Sequence, residues 1–87
     1  MIIYDVLNPN TAINLNNIIS IQKVNNKDNI DKCSIMFCAE TSNFIWVYES
    51  HFSRDAVWNS IRDIPKDYEY ISYVIDIMYL LKKGEKK

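Results

Sequence analysis

Apolar and polar residues alternate along most of this chain, and the period changes only once it is past residue 50. Ile2 to Val6 opens as a short β-prone run, closed by the turn-forming Asn8-Pro9-Asn10. Thr11 to Leu15 predicts a second short strand. Ile18 to Val24 predicts a longer one, with Ile19 and Ile21 on one face and Ser20 and Gln22 on the other. The polar segment Asn25-Asn26-Lys27-Asp28-Asn29 breaks it. Cys33 to Ala39 alternates again, placing Cys33, Ile35 and Phe37 opposite Ser34, Met36 and Cys38. Glu40-Thr41-Ser42-Asn43 then turns into Phe44 to Tyr48. Short polar connections between three such strands predict an antiparallel meander.

The last of these strands is apolar on both sides. Phe44, Trp46 and Tyr48 share one face, Ile45 and Val47 the other, so both faces call for cover. One side belongs to the protein's own helices and the other is open to a partner.

Beyond residue 50 the spacing becomes helical. Ser53 is placed to cap a helix, Phe52 and Val57 have the spacing of a hydrophobic staple, and Val57, Ile61 and Ile64 fall on one face. Pro65 ends this Ser53–Ile64 helix. Tyr68 to Leu81 has a β-like composition, but Glu69, Ser72, Asp76 and Lys83 form a single polar stripe at helical spacing. Asp67 can cap its start, and Lys82, Lys83 and Gly84 suit its end, which predicts a second helix over Asp67–Lys83.

The predicted architecture is therefore α+β: a small, mainly antiparallel sheet of three to five strands followed by two C-terminal helices. It forms a single compact domain over 1–84 with a basic tail at 85–87. The predicted core is Ile19, Ile21, Ile35, Phe37, Ile45, Val47, Val57, Ile61, Val74 and Met78. A chain of 87 residues buries only about 60–65 % of its unfolded surface, so this core is small.

Composition narrows the function more than it identifies it. Ten basic and eleven acidic residues leave a net charge of -1, which argues against a general phosphate-binding surface. Aromatic residues make up 13 % of the chain, a share that serves a small core and an interface equally well. The abundance of Asn, Ile and Lys suggests an AT-rich coding sequence and so a low-GC bacterium, a phage or another mobile element. Met1-Ile2-Ile3-Tyr4-Asp5 has neither the basic nor the apolar region of a signal peptide. The stretch Tyr70 to Leu81, broken by Ser72 and Asp76, is shorter than the ~20 residues of a membrane span. Both point to the cytoplasm.

No catalytic or cofactor motif is legible, and no enzymatic activity, cofactor or metal is expected. Cys33 and Cys38 would lie on opposite faces of one strand, roughly 17 Å apart at ~3.3 Å per residue, too far for a disulfide. His51 is the only histidine, and it does not complete the close-spaced ligand pairs of a structural zinc site. Gly84 is the only glycine, so a Gly-rich phosphate loop is excluded. The carboxylate pairs Asp28/Asp31 and Asp63/Asp67 sit at turns and helix ends, where solvated or capping roles are the rule.

What remains is surface. Phe44, Trp46 and Tyr48 are candidate contact residues on the sheet. Arg54 and Trp58, one helical turn apart, form a candidate anchor, and an intrahelical stack over the core is the commoner use of such a pair. Tyr70, Tyr73, Ile77 and Leu80 are candidates for the outward face of the second helix. Together they predict a non-enzymatic protein-interaction module, self-associating as a homodimer or binding another protein, with an inhibitor of a host-defence complex or an adaptor as its setting. The alternative is a single-stranded nucleic-acid binder that stacks bases on the aromatic row. No membrane partner is expected. The run Ile13-Asn14-Leu15-Asn16-Asn17-Ile18-Ile19-Ser20-Ile21, with Val47-Tyr48-Glu49-Ser50 further on, resembles very small β-rich bacterial and phage proteins, among them a short flagellar protein family. The likeness spans about half the chain and implies strands and a corner, without site residues.

Overall fold

The computed structural model describes residues 1–25, 33–64 and 72–77. In chain order the elements are β1 (Ile2–Asp5), β2 (Ile13–Asn14), a 3-10 turn (Leu15–Asn17), β3 (Ile18–Asn25), β4 (Cys33–Ala39), β5 (Asn43–Tyr48), α1 (His51–Arg62) and β6 (Ser72–Ile75). They form two three-stranded sheets rather than one. The first has the order β2-β1-β6 and the second the order β3-β4-β5.

The β3-β4-β5 sheet is the predicted meander, antiparallel throughout. Its buried side is set by β4, where Cys33, Ile35 and Phe37 alternate with the half-buried Ser34, Met36 and Cys38. Trp46 lies opposite Ile35, and Tyr48 opposite Cys33, so both rings join that side. The Phe37 and Trp46 rings meet edge to face at 4.8 Å. Val57 of α1, Ile3, Ile13, Ile75 and Ile77 complete the core.

Ile45 and Val47 therefore face outward, against the expectation that they are core. The physical reason is area: a sheet with one covered side gains most by covering the side with Trp46 and Tyr48. Ile19 is also outside, at 73 % exposure. A register shift between Ile18 and Ser20 leaves it as the extra residue of a bulge. The bulge resets the alternation, so Ile18 and Ile21 rather than Ile19 and Ile21 turn toward the core.

The second predicted helix is corrected. Ser72–Ile75 is a strand that runs parallel to β1, pairing Ile2 with Ser72 and Asp5 with Ile75. Among the elements of the described residues α1 is the only α-helix, and Ile77 is itself in helical conformation. Tyr73, Val74 and Ile75 have high strand propensity, and the free edge of β1 supplies a ladder that no isolated segment has. That pairing outweighs the helical spacing of the polar residues. Strand geometry puts Val74 on the outer face beside Tyr4, exposed rather than core, while Ile77 is buried rather than outward. Tyr73 is half-buried and packs against the core opposite Ile3. Tyr70, Met78, Leu80 and the tail at 85–87 lie outside the described residues.

α1 begins two residues earlier than predicted because Ser50, not Ser53, is its N-cap. Ser50 is extended, and its hydroxyl accepts from the Ser53 N–H at 3.1 Å. Phe52 is consequently inside the first turn and exposed, so no staple forms with Val57. No helix among the described residues is long and apolar enough to cross a membrane.

Candidate functional site: an uncharged sheet face beside a buried polar hub

The chemistry-bearing groups of the described chain fall in three places. The first is a polar hub where the two sheets meet. Asp5, 1 % exposed, continues the inward row that Ile3 starts, so its carboxylate enters the core. It accepts from the Leu7 N–H at 3.1 Å, the Asn8 Nδ2 at 2.9 Å and the Tyr48 hydroxyl at 2.5 Å. A buried carboxylate is tolerable when donors saturate it in this way. Burial, and then the hydrogen bond to the Asp5 carboxylate and its charge, raise the Tyr48 hydroxyl well above the usual phenol range. The pair is thus a phenol donating to a carboxylate.

Asn8 extends this hub to the surface. Its Oδ1 accepts from the Val47 N–H at 2.9 Å, on the side of β5 away from β4. The Trp46 Nε1 donates to the Thr11 carbonyl at 2.8 Å. The segment from Val6 to Ala12 is therefore a strap along the outer edge of β5, tied at both ends of that contact. A shallow groove of about 490 Å³ lies beside it, lined by Leu7, Val47, Tyr48, Glu49 and Ser53.

The second place is the α1–β3 junction. Arg54 is 5 % exposed, and its guanidinium points inward. It donates to the Val24 carbonyl at 3.2 Å and to Asn25 Oδ1, faces His51 Nδ1 at 3.2 Å, and pairs with Asp55 Oδ1 at 3.1 Å. A guanidinium is always a donor, so His51 Nδ1 is the accepting side of this contact. Lys23 adds to the cluster, 3.7 Å from Asp55 Oδ1 and 5.3 Å from the centroid of the half-buried Trp58 ring. Arg54 and Trp58 thus fasten α1 to β3, the intrahelical use of the pair having become a cross-element one. His51 is the first residue of the helix.

The third place is the outer side of the β3-β4-β5 sheet. The register places Ser20, Gln22 and Val24 of β3 beside Cys38, Met36 and Ser34 of β4, and Asn43, Ile45 and Val47 of β5 beside the same three. None of these side chains is charged. Ile45 is 50 % and Val47 52 % exposed, with Met36 half-buried between the strands.

The aromatic row is thereby divided. Trp46 and Tyr48 are interior, 0 % and 2 % exposed, and have no face free for a base; Phe44, at the end of the row, is 40 % exposed. Both cysteines are free thiols, Cys33 buried and Cys38 on the outer sheet face. Among the described residues no three His, Cys, Asp or Glu side chains gather as a metal-binding group. Asp5 and Asn8 escaped the sequence reading. The available signal was an acid in phase with Ile3 in an apolar strand, followed three residues later by an amide.

No protein-family model matches the chain, and neither a curated protein nor a solved structure matches it. The likeness of the Ile13–Ile21 run to small flagellar proteins therefore carries no family.

Proposed function

We propose that the chain is a non-enzymatic, self-associating protein-interaction module whose contact surface is the outer side of the β3-β4-β5 sheet. One observation carries this reading. The side holding Ile45 and Val47 has exposed branched apolar residues and no charge, in a chain that is 24 % charged. Charged residues are depleted at the centres of interfaces and common elsewhere on a surface. The same lack of charge gives phosphates no counter-charge there, and the interior position of Trp46 and Tyr48 leaves Phe44 as the one ring of that row on the surface, which favours this reading over the nucleic-acid alternative.

Light scattering on the full chain over a concentration series, at low and high salt, tests the proposal. The expected mass rises with concentration at both salt levels, and Val47→Lys suppresses the rise while leaving the circular dichroism of the fold unchanged. A chain that stays monomeric, and instead binds single-stranded oligonucleotides with a steep salt dependence, overturns it.

A further inference from the structure

β5 ends the β3-β4-β5 order, and a strand at the end of a sheet turns backbone N–H and C=O groups toward any other strand that reaches it. Folded proteins usually blunt such an edge with a lysine, a proline or a bulge. Thr41 to Tyr48 contains no lysine and no proline, and β5 pairs with β4 without a register shift. What runs along this edge instead is the Val6–Ala12 strap. Its backbone makes two successive tight turns, with the Asn8 N–H donating to the Asp5 carbonyl at 3.0 Å and the Thr11 N–H to the Asn8 carbonyl at 3.3 Å. Pro9 takes the second position of the later turn, where its fixed φ is favourable. The far end of the strap is held by the Trp46 Nε1, which donates to the Thr11 carbonyl.

Between these two ends the strap presents one group to β5. The Asn8 Nδ2 donates to Asp5 Oδ2, and its Oδ1 accepts from the Val47 N–H, both at 2.9 Å. A carboxylate accepts and a backbone N–H donates, so only one orientation of the amide satisfies both partners. Val47 stands opposite Ser34, and residues facing each other across an antiparallel pair are alternately bonded and not bonded to one another. The Val47 N–H belongs to the second kind, directed away from β4, and the Asn8 Oδ1 stands where the carbonyl of a further strand would stand.

We propose that the Val6–Ala12 strap is an intramolecular guard of the β5 edge, in which Asn8 substitutes for the carbonyl of a neighbouring strand and the buried Asp5 carboxylate aims it. This gives the acid in the core a use that packing does not. An apolar residue in phase with Ile3 would bury at less cost but could not hold the Asn8 amide. The inference is independent of the self-association read above, because the Val47 N–H lies along the edge of the sheet and not on its outer face.

Amide exchange on the full chain followed by NMR, with sedimentation velocity at high protein concentration, tests the guard in Asn8→Ala and Tyr48→Phe. Each variant leaves Asp5 one donor short, and only the first removes the acceptor of the Val47 N–H. Measured against the Trp46 N–H, which reports opening of the sheet itself, Val47 exchange is expected to quicken by roughly two- to tenfold in Asn8→Ala, the size of one net hydrogen bond. In Tyr48→Phe the same ratio is expected to stay within about twofold of wild type. Asn8→Ala is also expected to form oligomers beyond those of wild type, and Tyr48→Phe is not. The guard is overturned if the Val47 ratio in Asn8→Ala equals that of wild type, or if the two variants associate alike. Should Asn8→Ala not fold, wild type decides: a protected Val47 N–H is expected, and one that exchanges like an unstructured amide overturns the proposal.

Discussion

Of the three donors that make the Asp5 carboxylate tolerable in this core, one is a tyrosine hydroxyl. Tyr48 supplies one of its donors, and that donor exists only while the phenol is neutral. Tyr48→Phe removes it without changing shape much, and urea denaturation should show a loss of about 1.5–3 kcal/mol, the range for hydrogen bonds to charged groups. The pH dependence follows from the raised phenol. In the unfolded chain Tyr48 ionises near pH 10, while in the native state it holds its proton to higher pH. Above about pH 10 the unfolded state thus binds fewer protons, and stability, complete below that pH, falls as pH rises. Tyrosinate absorbance should accordingly show one phenol that ionises only together with loss of near-ultraviolet dichroism; a Tyr48 that titrates in the intact fold would contradict the hub. None of this was visible in the alternation of the opening strand, because a lone acid there is indistinguishable from a surface residue until the Tyr48 hydroxyl arrives from 43 positions away.

The elements were legible in proportion to how local their causes are. Cys33–Ala39 follows from alternation and the aromatic strand from its run of rings and β-branched residues, and their antiparallel pairing follows from the short polar turn between them. The start of α1 turned on a choice between two serines three residues apart, and only the extended backbone at Ser50 settles it. Ser50→Ala should cost about 1 kcal/mol by thermal or urea unfolding, a typical N-cap loss, and Ser53→Ala clearly less; equal losses would count against the cap. Ser72–Ile75 was misread because its strand state depends on an edge supplied by residues at the other end of the chain. Its polar residues satisfy helical spacing in isolation, and the sequence holds no local mark of the ladder. The bulge at Ile19 is of the same kind, since a two-for-one pairing belongs to two strands and is written in neither.

At the scale of the molecule, the assignment of inside and outside on β5 controls both stability and function. The sequence pattern showed that both rows are apolar, and what it could not show is which row the rest of the chain covers. Trp46 at 0 % exposure and Ile45 at 50 % answer that, and they separate two experiments. Trp46→Ala should cost about 3–5 kcal/mol in a denaturant titration, a large share of the 5–15 kcal/mol typical of a whole domain. Ile45→Ala should change the same midpoint by roughly 0.5 kcal/mol, the usual size of a surface substitution, while reducing self-association. Similar losses of stability in the two variants would place the covered side wrongly. The surface of β5 is accordingly carried by Ile45 and Val47, and its larger rings Trp46 and Tyr48 belong to the core.

The parallel pairing of β1 with β6 bears on the order in which the molecule can be made. A ribosome delivers β1 first, then the meander and α1, and only afterwards the strand that completes the first sheet, since Ile2 must wait for Ser72. The meander and α1 have mostly short-range contacts and can assemble as they emerge, whereas closing the β1–β6 ladder carries the entropy of a loop most of the chain long. During that interval Ile3 has only the brief β2 beside it in its sheet, and the outer side of the β1 ladder is unpaired. The growing chain is most vulnerable to proteases and to mispairing at β1, and the last few residues of β6 to leave the exit tunnel set the moment when that exposure stops.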